Sequence, residues 1–138
     1  MNEAEYFLER TEQSLDDFHD WLAGLGQSWG LSRTMVLEIN LIIEELYTNC
    51  IKYGGGPDSG PVRVALARSS TEVQILIEDR GPPFDPLKVQ PPDLIQPMEE
   101  RQAGGLGLHL VRHFADSCGY ARRSGKNILR LTKVIGCG

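Results

Sequence analysis

Three groups of residues in this chain have types and spacings suited to chemistry. The first is a carboxylate, a carboxamide and an ammonium: Glu45, Asn49 and Lys52, within LEINLIIEELYTNCIKYG. At about 100° per residue they line up on one side of a helix, beside an apolar stripe of Val36, Ile39, Ile43, Leu46 and Cys50. Glu44 lies roughly a quarter-turn from Glu45 and faces elsewhere. Such a face offers an oxygen ligand for a hard cation, a base, and a counter-charge for phosphate. The second group is IEDRGPPFDP, where Asp79 stands at a strand end and Gly81 follows two residues on. A carboxylate there accepts a hydrogen bond from an exocyclic amine such as that of adenine, and the glycine lets a flat ring come close. The third is AGGLGLHLV, in which Gly104, Gly105 and Gly107 lead into a helix. Bare N–H groups at a helix N-terminus favour an anion.

Each group also has an ordinary explanation. A polar helix face is usually solvated, Asp-x-Gly-Pro-Pro is common turn punctuation, and Gly-x-Gly before a helix is often a hinge. Neither the dinucleotide-binding fingerprint nor the phosphate-loop pattern is met.

Positioning these side chains requires a particular set of elements. Leu15, Phe18, Leu22 and Leu25 recur at helical spacing. Ser32 suits the N-cap of a second helix running from about Arg33 to Tyr53, and Gly54 to Pro57 ends it. Val62, Val64 and Leu66, then Val73, Ile75 and Ile77, alternate as two strands joined through Ser69, Ser70 and Thr71. Six prolines (Pro82, Pro83, Pro86, Pro91, Pro92 and Pro97) fall between Gly81 and Gly105, excluding an unbroken helix or a central strand. A loop of that length is commonly functional or disordered. The pattern then predicts a helix from Leu106 to about Ser117, and strands over 120–123 and 128–134 joined through Ser124, Gly125 and Lys126. Residues 3–10 fit either a short edge strand or a helix start. The element order predicts a single α+β domain over 1–138: a two-layer sandwich of one mixed or antiparallel sheet with helices on one face.

Composition narrows the classes. A 41% hydrophobic and 24% charged chain has the make-up of a globular domain, and a net charge of -5 argues against broad nucleic-acid or anionic-membrane binding. Cys50, Cys118 and Cys137 show neither metal-ligand spacing nor an even disulfide set, which predicts reduced thiols in a cytoplasmic protein, Cys50 and Cys118 as small buried hydrophobes. The opening MNEAEYFLER lacks a signal-peptide pattern, and no stretch approaches the roughly 20 apolar residues of a membrane span. His109 and His113 are spaced i, i+4, without an evident third metal ligand.

In combination, Glu45/Asn49, Asp79-x-Gly81-x-x-Phe84-Asp85 and Gly105-x-Gly107-Leu108, in one order around a long loop, resemble the GHKL ATP-binding superfamily. That superfamily is shared by gyrase, heat-shock chaperone, sensor histidine kinase and mismatch-repair proteins. The likeness covers about residues 33–134. Within it, EELYTNCIKYG, DRGPPFDP and LRLTKVI resemble the stand-alone bacterial anti-sigma-factor serine kinases.

The resemblance implies an ATP- and Mg²⁺-dependent protein kinase. Asn49 would hold Mg²⁺ and Glu45 would be the general base. Asp79 would accept from the adenine amine, with Gly81 allowing close approach. Gly104, Gly105 and Gly107 would bind phosphate, with Phe84, Leu106, Leu108 and Asn127 also at the nucleotide. Residues 86–103 would form the lid, Lys52 would contact phosphate, and Arg101 would reach the γ-phosphate. Two positions depart from the family: Tyr53 stands where it often has His, and Asn127 where it commonly has Thr. The implied partners are an anti-sigma-factor antagonist as substrate, a sigma factor as alternate partner, and a second copy of the chain. The same branch contains non-catalytic nucleotide switches that activate a phosphatase or another partner. The Glu45/Asn49 pair favours catalysis, because a pure binding module needs no base.

Overall fold

The computed structural model describes residues 2–53, 59–85 and 111–135. Five strands form one sheet: β1 (Asn2–Leu8), β2 (Val62–Arg68), β3 (Glu72–Asp79), β4 (Ser117–Arg123) and β5 (Lys126–Val134). Their spatial order is β1-β2-β3-β5-β4, and every neighbouring pair is antiparallel. The N-terminal segment is therefore an edge strand.

Helices α1 (Gln13–Ser28) and α2 (Arg33–Tyr53) complete the described elements. Val62, Val64 and Leu66 of β2, Val73, Ile75 and Ile77 of β3, and Leu129 and Leu131 of β5 join Phe18 and Leu22 of α1 and Ile39, Ile42, Ile43 and Leu46 of α2 in one core. The strands contribute every second residue, as a half-buried sheet requires. Tyr6 packs on Phe18 and Trp21, with ring centroids 5.5 and 5.0 Å apart, and fixes β1 under α1.

The orientation of α2 matters most, and several contacts set it. The Ser32 hydroxyl accepts from the Met35 N–H at 3.1 Å, the cap expected from sequence. Gly26 of α1 sits where an added Cβ would come within 2.5 Å of the Val36 side chain, so glycine permits the close approach of the two helices. Buried Tyr47 donates to the carbonyls of Glu9 and Thr11 at 2.6 and 3.1 Å. Arg10 donates to the carbonyls of Gly60 and Cys50 at 2.8 and 3.3 Å, bracing the last turns of α2. At the other end, buried Lys133 donates to Glu38 at 2.5 Å and to the Phe114 carbonyl at 2.8 Å, tying α2 to β5 and to the helical turn at 111–114.

Three local expectations change. Helix ends at residue 114 and β4 begins at Ser117, because Ser117, Cys118 and Gly119 pair with Thr132, Leu131 and Arg130 despite their weak strand preference. Cys118 is exposed, since β4 is an edge strand at this point, whereas Cys50 is partly buried. The β4–β5 turn is shorter than expected: Ser124 and Gly125 alone form it, at φ 51° and 75°, and Lys126 already belongs to β5. Among the described residues no helix is long and apolar enough to cross a membrane.

Candidate functional site

The helical face read from sequence becomes a gradient of exposure. Asn49 is buried, 2% exposed, Glu45 is half-buried one turn earlier, and Lys52 is exposed. Glu44 points away, also exposed, with a carboxylate oxygen 3.9 Å from His19 Nε2. Burial, reinforced by Glu44 and opposed by Lys52, raises the Glu45 carboxyl above its ordinary value. That moves it toward the range in which a carboxylate is an effective base.

Asn49 is the more unusual residue. Both its carboxamide nitrogen and oxygen are buried without a hydrogen-bond partner among the described residues. Such a group costs about 1–3 kcal/mol, and native structures contain few of them. A carboxamide oxygen is a hard donor of the kind Mg²⁺ accepts, so this side chain fits a metal-bound phosphate.

Asn49 opens on a small cavity of about 20 Å³, walled by Leu46 and Cys50 of α2, Ile77 and Asp79 of β3, Phe84, and Tyr120, Asn127 and Leu129 of β4 and β5. A far larger depression, about 730 Å³, lies on the opposite face of the sheet around Glu5, Arg63, Gln74, Arg130 and Thr132. Arg63 pairs there with Glu5 and Glu78 at 2.7 and 3.1 Å. No residue lining that depression has an orphaned buried polar atom among the described residues, so the small cavity is the candidate site.

Asp79 faces Asn49 across this cavity, and sheet register sets its surroundings: Asp79 on β3 lies directly opposite Asn127 on β5. Its Oδ1 accepts from the Gly81 N–H at 2.8 Å and from Asn127 Nδ2 at 3.2 Å, and its Oδ2 accepts from the Cys50 thiol at 3.4 Å. Burial and the neighbouring carboxylate push the Cys50 thiol far up, so it serves as a donor and a weak nucleophile. Gly81 is buried in the turn behind the carboxylate. The Asn127 amide also donates to the Pro82 carbonyl at 2.8 Å, while its oxygen accepts from the Phe84 N–H at 3.1 Å and the Tyr120 hydroxyl at 2.5 Å.

Asn49, Asp79, Phe84 and Asn127 thus meet at one cavity, Gly81 lies behind it, Glu45 stands one turn away and Lys52 lies further out on the surface. Tyr120 and Cys50 were not singled out as site residues; Tyr120 lines the cavity only because β4 pairs it with Leu129. Arg101, Gly104, Gly105, Leu106, Gly107, Leu108, His109 and the expected lid over 86–103 lie outside the described residues.

Known proteins resemble this chain in sequence and in fold. Serine/threonine-protein kinase BtrW of Bordetella bronchiseptica is 29% identical over 126 residues, covering 91% of this chain and 89% of the relative. Serine-protein kinase RsbW of Bacillus thuringiensis is 26% identical over 118 residues, covering 83% and 73%. Among solved structures, the RsbU and RsbW domains of Rv1364c from Mycobacterium tuberculosis share the fold at a TM-score of 0.67 and 16% identity, over 97% of this chain and 33% of that one. A chain of the SiaB–SiaC complex from Pseudomonas aeruginosa does so at 0.60 and 14%, over 96% and 89%. The model of the histidine kinase-like ATPase domain matches residues 8–133, and the chain belongs to that family.

Proposed function

We propose that this protein is an ATP-dependent protein serine/threonine kinase of the anti-sigma-factor type. Its substrate would be a hydroxyl on a small antagonist protein, with a sigma factor as alternate partner and nucleotide state deciding which is held. The observation that carries this reading is the buried Asn49 carboxamide with no partner among the described residues, facing Asp79 across a cavity, with a half-buried Glu45 one turn earlier. The names of two relatives, both protein kinases, agree with it.

Each residue has a separable task. Asp79 accepts from the exocyclic amine of adenine through Oδ2, whose described hydrogen bond is the one from Cys50. Asn49 offers its carboxamide oxygen to Mg²⁺, which when bound spreads the charge of the transferring phosphoryl group. Glu45 takes the proton of the attacking hydroxyl as the new oxygen–phosphorus bond forms and the bond to the departing ADP breaks. Its raised proton affinity makes it a better base than a surface glutamate. Lys52 supplies positive charge at the rim, and Arg101 and the glycines from Gly104 to Gly107 would close over the phosphates. Assembly as a homodimer and a cytoplasmic setting belong to the same reading.

Incubation with labelled ATP and candidate antagonist proteins tests it. Wild-type protein transfers label to serine or threonine, and Glu45→Gln binds ATP but does not transfer. Transfer by Glu45→Gln at the wild-type rate removes the base assignment. ATP binding by the wild type without any transfer favours the non-catalytic switch.

A further inference from the structure

Asn127 lies at the cavity, yet its side chain has nothing left to give a ligand. A carboxamide has two N–H donors and two acceptor lone pairs. Here the donors go to Asp79 Oδ1 and the Pro82 carbonyl, and the lone pairs to the Phe84 N–H and the Tyr120 hydroxyl. The orientation of the amide is unambiguous, because a backbone carbonyl only accepts and a backbone N–H only donates. The group is 5% exposed, so the bonds are made away from water, where breaking them is costly.

The consequence falls on Asp79. With the Gly81 N–H and Asn127 Nδ2 both on Oδ1, that oxygen is filled and the carboxylate cannot rotate without losing two bonds. Oδ2 carries the Cys50 thiol and retains a free lone pair among the described contacts. A purine with an amine at position 6 can donate to that lone pair. One with an oxygen there sets acceptor against acceptor. Were the Asn127 amide free to turn, its N–H groups would offer the 6-oxo purine a donor and the distinction would weaken.

We infer that Asn127, locked by Tyr120 and by the backbone of Pro82 and Phe84, is a positioning residue that fixes the adenine-reading face of Asp79 and thereby sets discrimination between 6-amino and 6-oxo purine nucleotides. This rests on the nucleotide-binding reading above, and it separates Asn127 from direct contact with the base.

The test is equilibrium binding of Mg-ATP and Mg-ITP to the full chain, with hydrogen exchange of the Gly81 and Phe84 amides in nucleotide-free protein. In Asn127→Ala, ATP affinity falls about 10-fold, the worth of one lost hydrogen bond to a charged group, while ITP affinity changes less than about 2-fold. The ATP/ITP ratio therefore collapses, and both amides exchange faster. Tyr120→Phe preserves the ring and the other three bonds, keeps the fold if Asn127→Ala does not, and lowers the ratio about 3-fold. An unchanged ratio in Asn127→Ala, or in Tyr120→Phe where Asn127→Ala fails to fold, overturns the inference, whether both affinities fall together or neither moves. Asp79→Asn distinguishes the levels. No Mg-ATP binding by the wild type would defeat the nucleotide reading itself. ATP binding by Asp79→Asn as in wild type would defeat the adenine contact at Asp79 on which the inference rests. Loss of binding in Asp79→Asn alongside an unchanged ratio in Asn127→Ala would defeat only the positioning role.

Discussion

Asn49 and Asn127 line the same cavity and are nearly equally buried, at 2% and 5% exposure, but they differ completely in hydrogen bonding. Every polar atom of Asn127 is engaged, and on Asn49 neither polar atom is, among the described residues. Burial alone would rank them together. Counting donors and acceptors separates a strut, whose bonds hold β3, β5 and the turn after Asp79 in register, from a group whose missing partner is a ligand. An orphaned carboxamide is a stability cost that a fold keeps where function requires it.

The largest effect expected concerns the catalytic side of that contrast. Glu45→Gln should lower phosphoryl transfer about 10²–10⁴-fold, the usual worth of a general base, with ATP affinity preserved in a calorimetric titration. Transfer at the wild-type rate would remove the base assignment, and ATP binding by the wild type without transfer would leave Asn49 a ligand in a switch rather than in an enzyme.

Stability tests the contrast more directly. Asn127→Ala strands the Phe84 N–H and Pro82 carbonyl, and should cost about 1–3 kcal/mol in denaturant unfolding. Asn49→Ala removes an unsatisfied group, and should leave the nucleotide-free protein as stable or more so. Equal losses in both would show that Asn49 is a strut as well.

A smaller effect is expected in the pH profile. Because the Glu45 carboxyl is raised by burial and by Glu44, the acid limb of transfer should lie above the ordinary glutamate value. Lys52→Met removes the cation that opposes this and should move the limb up, while Glu44→Gln should move it down. The sign carries over to folding: ionising a carboxylate whose proton affinity is raised in the fold costs stability as pH rises through that raised value. Glu45→Gln should therefore raise the thermal midpoint slightly at neutral pH. A limb unmoved by either charge change would contradict the base assignment.

Sequence periodicity located α2 from its Ser32 cap to Tyr53 and put Glu45, Asn49 and Lys52 on one side of it, because helical spacing is local. The two strand pairs were legible for the same reason. The N-terminal strand was ambiguous, since β1 owes its form to pairing with β2 some 60 residues away, as in Asn2 opposite Arg68. The start of β4 was hidden likewise: Ser117, Cys118 and Gly119 are strand only by partnership with β5. The Asp79–Asn127–Tyr120 network was the least legible part of the site. It arises from the register of β3 on β5 and of β5 on β4, which no single segment encodes, and Cys50 joins it by the packing of α2 on the sheet.

The central claim is that the unpartnered Asn49 carboxamide is a ligand for metal-bound nucleotide. Isothermal titration of Mg-ATP into wild-type protein and Asn49→Ala, with thermal unfolding of both in the absence of nucleotide, tests it most directly. Binding lost in Asn49→Ala, with an undiminished unfolding midpoint, is the predicted result. Wild-type affinity in Asn49→Ala would contradict the account.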